Sequence, residues 1–289
     1  MTVQQHSARA GDRLIAAVAA LEAAGIAPAR PEAEWLLADV LGVGRFDIYL
    51  ALDRELSPAK ADAYERAVAR RTAGEPLQQI VGWESFCGLR IRVTPDVLVP
   101  RPETESLVEW ALARLPRGPR RVVDVGTGSG CIAAAIAHAR PDVSVLAAEL
   151  SPAAARVARE NIAALGFAAR VRVVVADVLT AVAPDGVDVV VANPPYLPDA
   201  MLPALPREIR NWEPRGAVLA GADGLRVLAR IVADAARVLV RDGSLLVETA
   251  GDAQVDAVAA MFERAGYAEV AIRADLTGTR RFVAGRRGV

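Results

Sequence analysis

The sequence predicts an α/β protein, with a short run of helices followed by a larger domain built on a parallel sheet. Three observations predict it. From residue 120 onward, near-continuous apolar segments alternate with amphipathic ones, the pattern of strands covered by helices on both faces. Residues 8–73 hold amphipathic helical patterns with short connections, as in a small bundle. The chain has 289 residues, 53% hydrophobic and 24% charged, which is ordinary for a soluble globular protein and enough for one large domain or two ordinary ones.

Taken in order, "RAGDRLIAAVAALEAAGI" places Leu14, Val18 and Leu21 on one helical face and stops at Gly25. "PEAEWLLADVLGV" begins at Pro31 and gathers Trp35, Leu36, Val40 and Leu41. "SPAKADAYERAVARRTAG" has Ser57 as N-cap, Pro58 at the first helical position and Gly74 past the end. Residues 1–74 are therefore expected to form the helical bundle. In 75–99, β-branched residues alternate with polar ones in "LRIRVT" and Gly82 and Gly88 punctuate the run, so a β-hairpin linker is expected. The remainder, 100–289, is the main domain. It opens with the helix "PRPETESLVEWALARL", whose inner face is Leu107, Val108, Ala111, Leu112 and Leu115. Strands "RVVDV", "VSVLAAE", "RVRVVVAD", "VDVVVA" and "SLLVET" follow, then "YAEVAIR" and "RRFVAG". Helices "CIAAAIAHA", "SPAAARVARENIAAL", "GLRVLARIVADAARVL" and "AQVDAVAAMFERA" lie between them. Residues 197–222 form a long Pro-rich connection, of the length used for lids and binding loops.

Composition excludes several functions. A net charge of −1 gives no overall field to hold the chain on nucleic acid. No apolar run approaches the roughly 20 residues of a membrane span, and "MTVQQHSARAGDR" lacks the apolar core of a signal peptide, so a cytoplasmic protein is expected. Cys87 and Cys131, with His6 and His138, make no zinc framework. No metal is expected, and the cysteines read as small apolar residues in a reducing compartment. Lys60 is the only lysine, a bias read as genome composition.

The chemistry lies at strand ends, where open α/β sheets bind ligands. "DVGTGSGC" sets Gly126, Thr127, Gly128, Ser129 and Gly130 between a strand and a helix, a turn that lets a ligand approach the backbone. The spacing is G-x-G-x-G, and Cys131 stands where a dinucleotide fingerprint has its third glycine. Glu149 ends the next strand, where a carboxylate accepts ribose hydroxyls. Asp177, followed by Val178, ends the third, where one accepts from an adenine amino group. Together they favour an adenosine ligand. With Asp124 and Glu149 the cradle is acidic, which disfavours a pyrophosphate and favours a cationic cofactor such as S-adenosylmethionine.

The fourth strand runs into Asn193-Pro194-Pro195-Tyr196. A planar –NH2 is a poor nucleophile. The Asn193 side-chain oxygen and the Pro194 carbonyl can each accept one of its N–H groups and aim it at a sulfonium methyl, which is positioning plus electrostatic catalysis. Diproline fixes two φ angles and pre-aims that carbonyl, and the Tyr196 ring can stack on a flat substrate group. No base is required, so a rate that varies little near neutral pH is expected. The motif suits any planar amine, so an adenine-N6 nucleic-acid methyltransferase remains open, although it would need base flipping and a phosphate-binding surface. A non-catalytic adenosine-binding module that docks partners through its bundle is the third reading.

These segments resemble the glutamine-N5 methyltransferases that modify peptide-chain release factors (PrmC/HemK). The resemblance spans nearly the whole chain through "GEPLQQIVGWESFCGLRIRV", "VLVPRPETE", "VVDVGTGSGCIAAA", "NPPY", "EPRGAVLAGADGL" and "DLTGTRRFVAGR". It implies a helical bundle, a β-hairpin linker and a Rossmann-like, seven-stranded class I methyltransferase sheet. It implies S-adenosylmethionine, leaving as S-adenosylhomocysteine, at Gly126–Gly130, Glu149, the Asp177-Val178 turn and Asn193. It places the target amide, the glutamine of a Gly-Gly-Gln loop in class 1 release factors, at Asn193, Pro194, Pro195 and Tyr196. Pro100–Thr104 should lie over the methionine end of the cofactor. Arg101 and Glu103 are expected near the substrate, a helix-start ion pair being the plainer reading. The chain departs from the family at Glu149, usually Asp, at Val178, aromatic in some members, and at "VETAGDAQ", which keeps Glu248 but replaces the usual Glu-His-Gly run. Arg280, Arg281, Arg286 and Arg287 read as a solvated basic tail. A ribosomal-protein glutamine is an alternative target. No direct nucleic-acid partner and no membrane are expected, and with no separate apolar stripe a monomer is expected.

Overall fold

A computed structural model describes residues 9–288; His6 lies outside them. The chain divides into two compact units. One comprises the residues up to Gly82 together with Arg207–Trp212, and the other comprises Trp83–Pro206 and the residues from Glu213 onward.

The first unit is built from α1 (Ala10–Ala23), α2 (Ala29–Leu41), a 3-10 turn (Arg45–Leu50), α3 (Pro58–Thr72) and the short helices α4 (Leu77–Val81) and α8 (Arg207–Trp212). Leu14, Leu21, Leu36, Leu37, Ile48 and Tyr64 fill its core. The α3 start follows the sequence reading: Pro58 is the first helical residue and Ser57 Oγ accepts the Lys60 N–H at 3.4 Å. Helix α2 starts two residues before Pro31, which a proline in the first turn permits. Its inner face is Ala33, Leu36 and Leu37, while Trp35 is only half-buried. Glu34 is buried instead, accepting from Arg30, Arg45 and Tyr49. Residues 77–81, expected in the hairpin, form α4. The buried Arg71 guanidinium pairs with Glu32 and Glu208 and donates to the Glu75 carbonyl at 3.1 Å. With Gln79 donating to the Trp212 carbonyl at 3.2 Å, it fixes α8 within this unit.

The second unit opens with a hairpin, β1 (Trp83–Phe86) and β2 (Leu89–Arg92), around the turn Cys87-Gly88. There follow α5 (Pro102–Arg114), β3 (Arg120–Val125), α6 (Cys131–Ala139), β4 (Val143–Glu149), α7 (Pro152–Ala164), β5 (Val171–Val175) and β6 (Val187–Ala192). After the long connection come α9 (Arg226–Val238), β7 (Leu239–Glu248), α10 (Asp252–Arg264), β8 (Tyr267–Ala274) and β9 (Arg280–Arg287). One seven-stranded sheet runs β5-β4-β3-β6-β7-β9-β8. Neighbouring residues on one strand serve opposite faces: Val122, Val189 and Leu246 enter one core with Leu107 and Ile136, and Val123, Val190 and Leu245 enter the other with Ile231 and Phe262. That two-sided burial is why the strands lack alternation.

The sheet is mixed rather than parallel throughout, because β9 runs antiparallel to both β7 and β8. The link between β8 and β9 is only Asp275–Thr279, too short for a parallel crossover. The arginines read as a basic tail belong to β9 and its start. Arg280 pairs with Asp256, Arg281 with Asp275, Arg286 with Glu269, and Arg287 with Asp185. Strand β3 pairs with β4 on one side and β6 on the other, so chain order reverses between β3 and β6. The crevice past their carboxyl ends is where such sheets bind ligands.

Candidate active site

Strand β3 runs through Asp124 and Val125 into the glycine loop, whose Gly126 and Thr127 N–H groups bond the Ala148 carbonyl of β4 at 2.8 and 3.1 Å. Gly128 and Gly130 both hold positive φ (55° and 82°) but differ in surroundings. A Cβ on Gly128 would meet only the Gly126 carbonyl at 3.9 Å, whereas one on Gly130 would press on Ala158 Cβ at 3.3 Å. The middle of the loop thus stays open and its end packs on α7. Asn161 of α7 donates to the Ser129 carbonyl at 2.8 Å and exchanges two hydrogen bonds with the Arg92 backbone, tying loop and hairpin together.

A cavity of about 740 Å³ lies over this loop, within the size range of small-molecule sites. Gly126, Thr127, Gly128, Ser129, Glu149, Asp177, Val178, Asn193, Pro195 and Arg101 all line it. Asp124, Gly130, Pro194, Tyr196 and Glu103 are not among its lining residues. Asp124 lies wholly buried; one oxygen accepts from the Thr127 hydroxyl and from the Ala133 N–H at α6, and the other has no partner. Burial pushes this carboxyl up to about 7, against the pull of those two donors. Its visible work is to fasten the loop to the start of α6. Glu149 folds back: its oxygens accept the Gly128 and Ser151 N–H groups, each at 2.9 Å. Each oxygen keeps a lone pair for a further donor. Asp177 is gripped by Arg230 through bonds of 3.0 and 2.9 Å, and Arg230 also lines the cavity. Val178 sits at φ 52°, a strained conformation for a β-branched residue and one that clusters at functional sites. The Cys131 thiol also lines the cavity, and burial pushes it up to about 12, so it stays protonated.

Asn193 follows β6, across the crevice from the glycine loop. Its Nδ2 donates to Thr104 Oγ1 at 3.0 Å, and the Thr104 hydroxyl donates to Glu248 Oε2 at 2.8 Å. The Tyr196 hydroxyl donates to the other Glu248 oxygen at 3.4 Å, and the ring packs against the second core. Burial pushes the Glu248 carboxyl up to about 7, with Thr104 and Arg281 pulling it down. Burial and Glu248 raise the Tyr196 phenol. Gln254 donates to the Tyr196 carbonyl at 2.8 Å, and a side chain on Gly224 would sit 2.3 Å from that same oxygen, so the "GADGL" segment needs its glycine for close approach. Arg101 does not pair with Glu103; its Nη2 reaches both oxygens of the buried Glu213, at 2.7 and 2.8 Å. That bond joins "PRPETE" to "EPRGAV". The connection after Tyr196 closes on itself, with Leu197 bonded to Val218 and Ala220, and Asp199 to Gly221.

Sequence reasoning gave no role in this site to Glu248, Arg230 or Glu213, whereas Thr104, expected with Pro100 and Arg101 near the cofactor, does line the cavity with them. Glu248 carried a usable signal, since it ends a buried strand just as Glu149 does. Glu213 stood only as the first residue of the segment "EPRGAVLAGADGL", and Arg230 carried no signal, because a helix brings it in.

Two family descriptions match the chain: the PrmC N-terminal domain over residues 12–82 and the methyltransferase small domain over residues 105–202. A release factor glutamine methyltransferase of Cereibacter sphaeroides is 45% identical over 278 residues, 96% of this chain and 98% of the relative. The protein of the same description from Geobacter sulfurreducens is 42% identical over 264 residues, 91% and 92% of the two chains. The chain belongs to the release factor glutamine methyltransferase family. It is a methyltransferase, and the fold agrees. The hMettl16 catalytic domain, solved in complex with the MAT2A 3'UTR hairpin 6, superposes with TM-score 0.57 at 17% identity, covering 79% of this chain and 82% of its own. A methyltransferase from Pyrococcus furiosus gives 0.52 at 19% identity, covering 70% and 90%. At such identities these structures support the class I methyltransferase fold alone. Among the described residues no helix is long and apolar enough to cross a membrane, and no group of three or more His, Cys, Asp and Glu could hold a metal ion.

Proposed function

We propose that this enzyme methylates the side-chain amide nitrogen of the glutamine in the Gly-Gly-Gln motif of class 1 peptide chain release factors, with S-adenosylmethionine as donor. One observation carries the reading: Asn193 and Pro195 line the same cavity as the open glycine loop, Glu149 and Asp177. Asn193, one of the two acceptors of the planar-amine grip, thereby shares one space with the adenosine cradle.

The residues present fit that cofactor. Gly128 leaves the loop open to a ligand, Glu149 keeps two lone pairs for ribose hydroxyls, and Asp177 and Val178 border the adenine end. When bound, S-adenosylmethionine supplies a methyl on a positively charged sulfur, an electrophile that needs no further activation. The protein's part is to deliver the amide. The Asn193 Oδ1 and the Pro194 carbonyl accept the two amide hydrogens, so the nitrogen faces the methyl. The same oxygens stabilise positive charge as the N–C bond forms and the C–S bond breaks, and one amide proton then leaves to solvent.

The test is incubation with methyl-labelled S-adenosylmethionine and either a release factor or duplex DNA, followed by mass spectrometry. Label on the Gly-Gly-Gln glutamine is expected; label in adenine overturns the reading. Asn193→Ala should lower kcat by about 10²- to 10³-fold, the cost typical of losing one transition-state hydrogen bond. Its affinity for S-adenosylmethionine should fall far less than its turnover. Retention of most of the turnover would sink the two-acceptor grip.

A further inference from the structure

Three segments converge behind Asn193 without taking part in the chemistry above: Thr104 from α5, Glu248 from the end of β7, and Arg281 from β9. Their hydrogen bonds have a direction. A threonine hydroxyl has one hydrogen, and Thr104 gives it to Glu248 Oε2 at 2.8 Å. Only lone pairs then face Asn193, so the carboxamide must present Nδ2 to Thr104, as it does at 3.0 Å. The other arm of that planar group, Oδ1, accepts from no donor among the described residues, and Asn193 lines the cavity. Were the hydroxyl free to turn, it could donate to Oδ1 instead. The NH2 would then face the cavity, and two donors would oppose the two donors of a substrate amide.

Glu248 is itself held. It is 1% exposed and takes the Tyr196 hydroxyl on its second oxygen, with Glu103 of α5 and Arg281 of β9 as charged neighbours. Arg281 donates through Nε to Asp275 at 2.8 Å, and Asp275 in turn accepts the Thr277 and Thr279 N–H groups at 2.9 and 3.0 Å. The "DLTGTRR" turn thus holds a cation near a carboxylate that burial would otherwise discharge.

We propose that Thr104 and Glu248 are positioning residues that set the polarity of Asn193: the Glu248 carboxylate orients the Thr104 hydroxyl, and this fixes Asn193 with its oxygen toward the substrate amide. The proposal rests on the reading of Asn193 as an amide grip.

The experiment uses the full chain with S-adenosylmethionine and a release factor, and compares wild type with Thr104→Val, Thr104→Ser and Glu248→Gln. Thr104→Val removes the hydroxyl at equal shape. Glu248→Gln can donate as well as accept and so scrambles the direction. Both should lose about 10- to 100-fold in kcat, the order expected from a misaimed reactant. Cofactor Kd should stay within about twofold, and Thr104→Ser should recover kcat to within about threefold of wild type. The second readout needs no turnover: the Asn193 side-chain NH2 resonances, assigned by their loss in Asn193→Ala, should shift in Thr104→Val and Glu248→Gln but stay near wild type in Thr104→Ser. Unmoved resonances, or kcat within threefold of wild type in both disrupting variants, overturn the relay. A wild type that labels no release factor glutamine overturns the proposed substrate instead, and the resonances still decide the polarity of Asn193. Should Thr104→Val fail to fold, Glu248→Gln carries both readouts.

Discussion

Two carboxyls that burial pushes up to about 7, Asp124 and Glu248, lie under opposite walls of the crevice. Asp124 has the plainer consequence. An ordinary carboxyl titrates at about 3.9, so between about pH 4 and 7 the folded chain binds more protons at this position than the unfolded one does. Stability from this group is therefore complete below about 4 and is lost as pH rises through about 7. Asp124→Asn keeps an acceptor for the Thr127 hydroxyl and the Ala133 N–H but cannot ionise. The variant's Tm minus the wild type's should thus rise between pH 5 and 8 and level off above that. Thermal melts without cofactor at these two values decide it; a difference that stays constant means Asp124 ionises as an ordinary carboxylate. In the relay proposed above, Glu248 bears on the rate. A flat profile near neutrality was expected for a base-free transfer, yet a carboxyl titrating near 7 holds the residues that hold Asn193.

The glycine loop joins a strand to a helix, and its residues divide between ligand and fold. Gly128→Ala and Gly130→Ala share the penalty of a side chain at positive φ, about 1 kcal/mol. Gly130→Ala also drives Cβ to 3.3 Å from Ala158 on α7. It should show the larger fall in Tm with the smaller change in cofactor Kd, and Gly128→Ala the reverse, with Kd raised about tenfold or more. Equal effects from both would mean that the loop acts only as a turn. What was legible in the sequence follows the same division. The glycine loop, Glu149, Asp177 and Asn193–Tyr196 are contiguous or sit at ends of apolar runs, so periodicity placed them. The Ser57 cap and the two-sided strands were legible for the same local reason. The α4 turn within the presumed hairpin, the antiparallel β9 and the Thr104–Glu248–Asn193 relay depend on contacts between residues far apart in sequence. Asp124 counts toward an acidic cofactor cradle in the sequence because an acid before glycines looks alike whether it faces the cavity or supports the loop from below.

Across the whole molecule, the near balance of charge sets a test between substrates. The chain carries 34 Lys and Arg against 35 Asp and Glu, and many of its arginines are spent internally, as at Arg71, Arg230, Arg281 and Arg287. A protein that holds duplex nucleic acid through 6–10 phosphate contacts loses about 10³- to 10⁵-fold in affinity between 50 and 200 mM salt, because condensed counterions are released on binding. A protein substrate whose amide is gripped in a cavity releases no such ion atmosphere, and surface charge pairs contribute about 1 kcal/mol or less each. For release factor methylation, kcat/KM should therefore fall by less than about tenfold over that salt range. Initial rates at limiting substrate, with S-adenosylmethionine saturating, give the slope directly. A fall of a thousandfold would move the substrate toward a polyanion, the one class of planar amine that the motif accepts and the chain's charge does not favour.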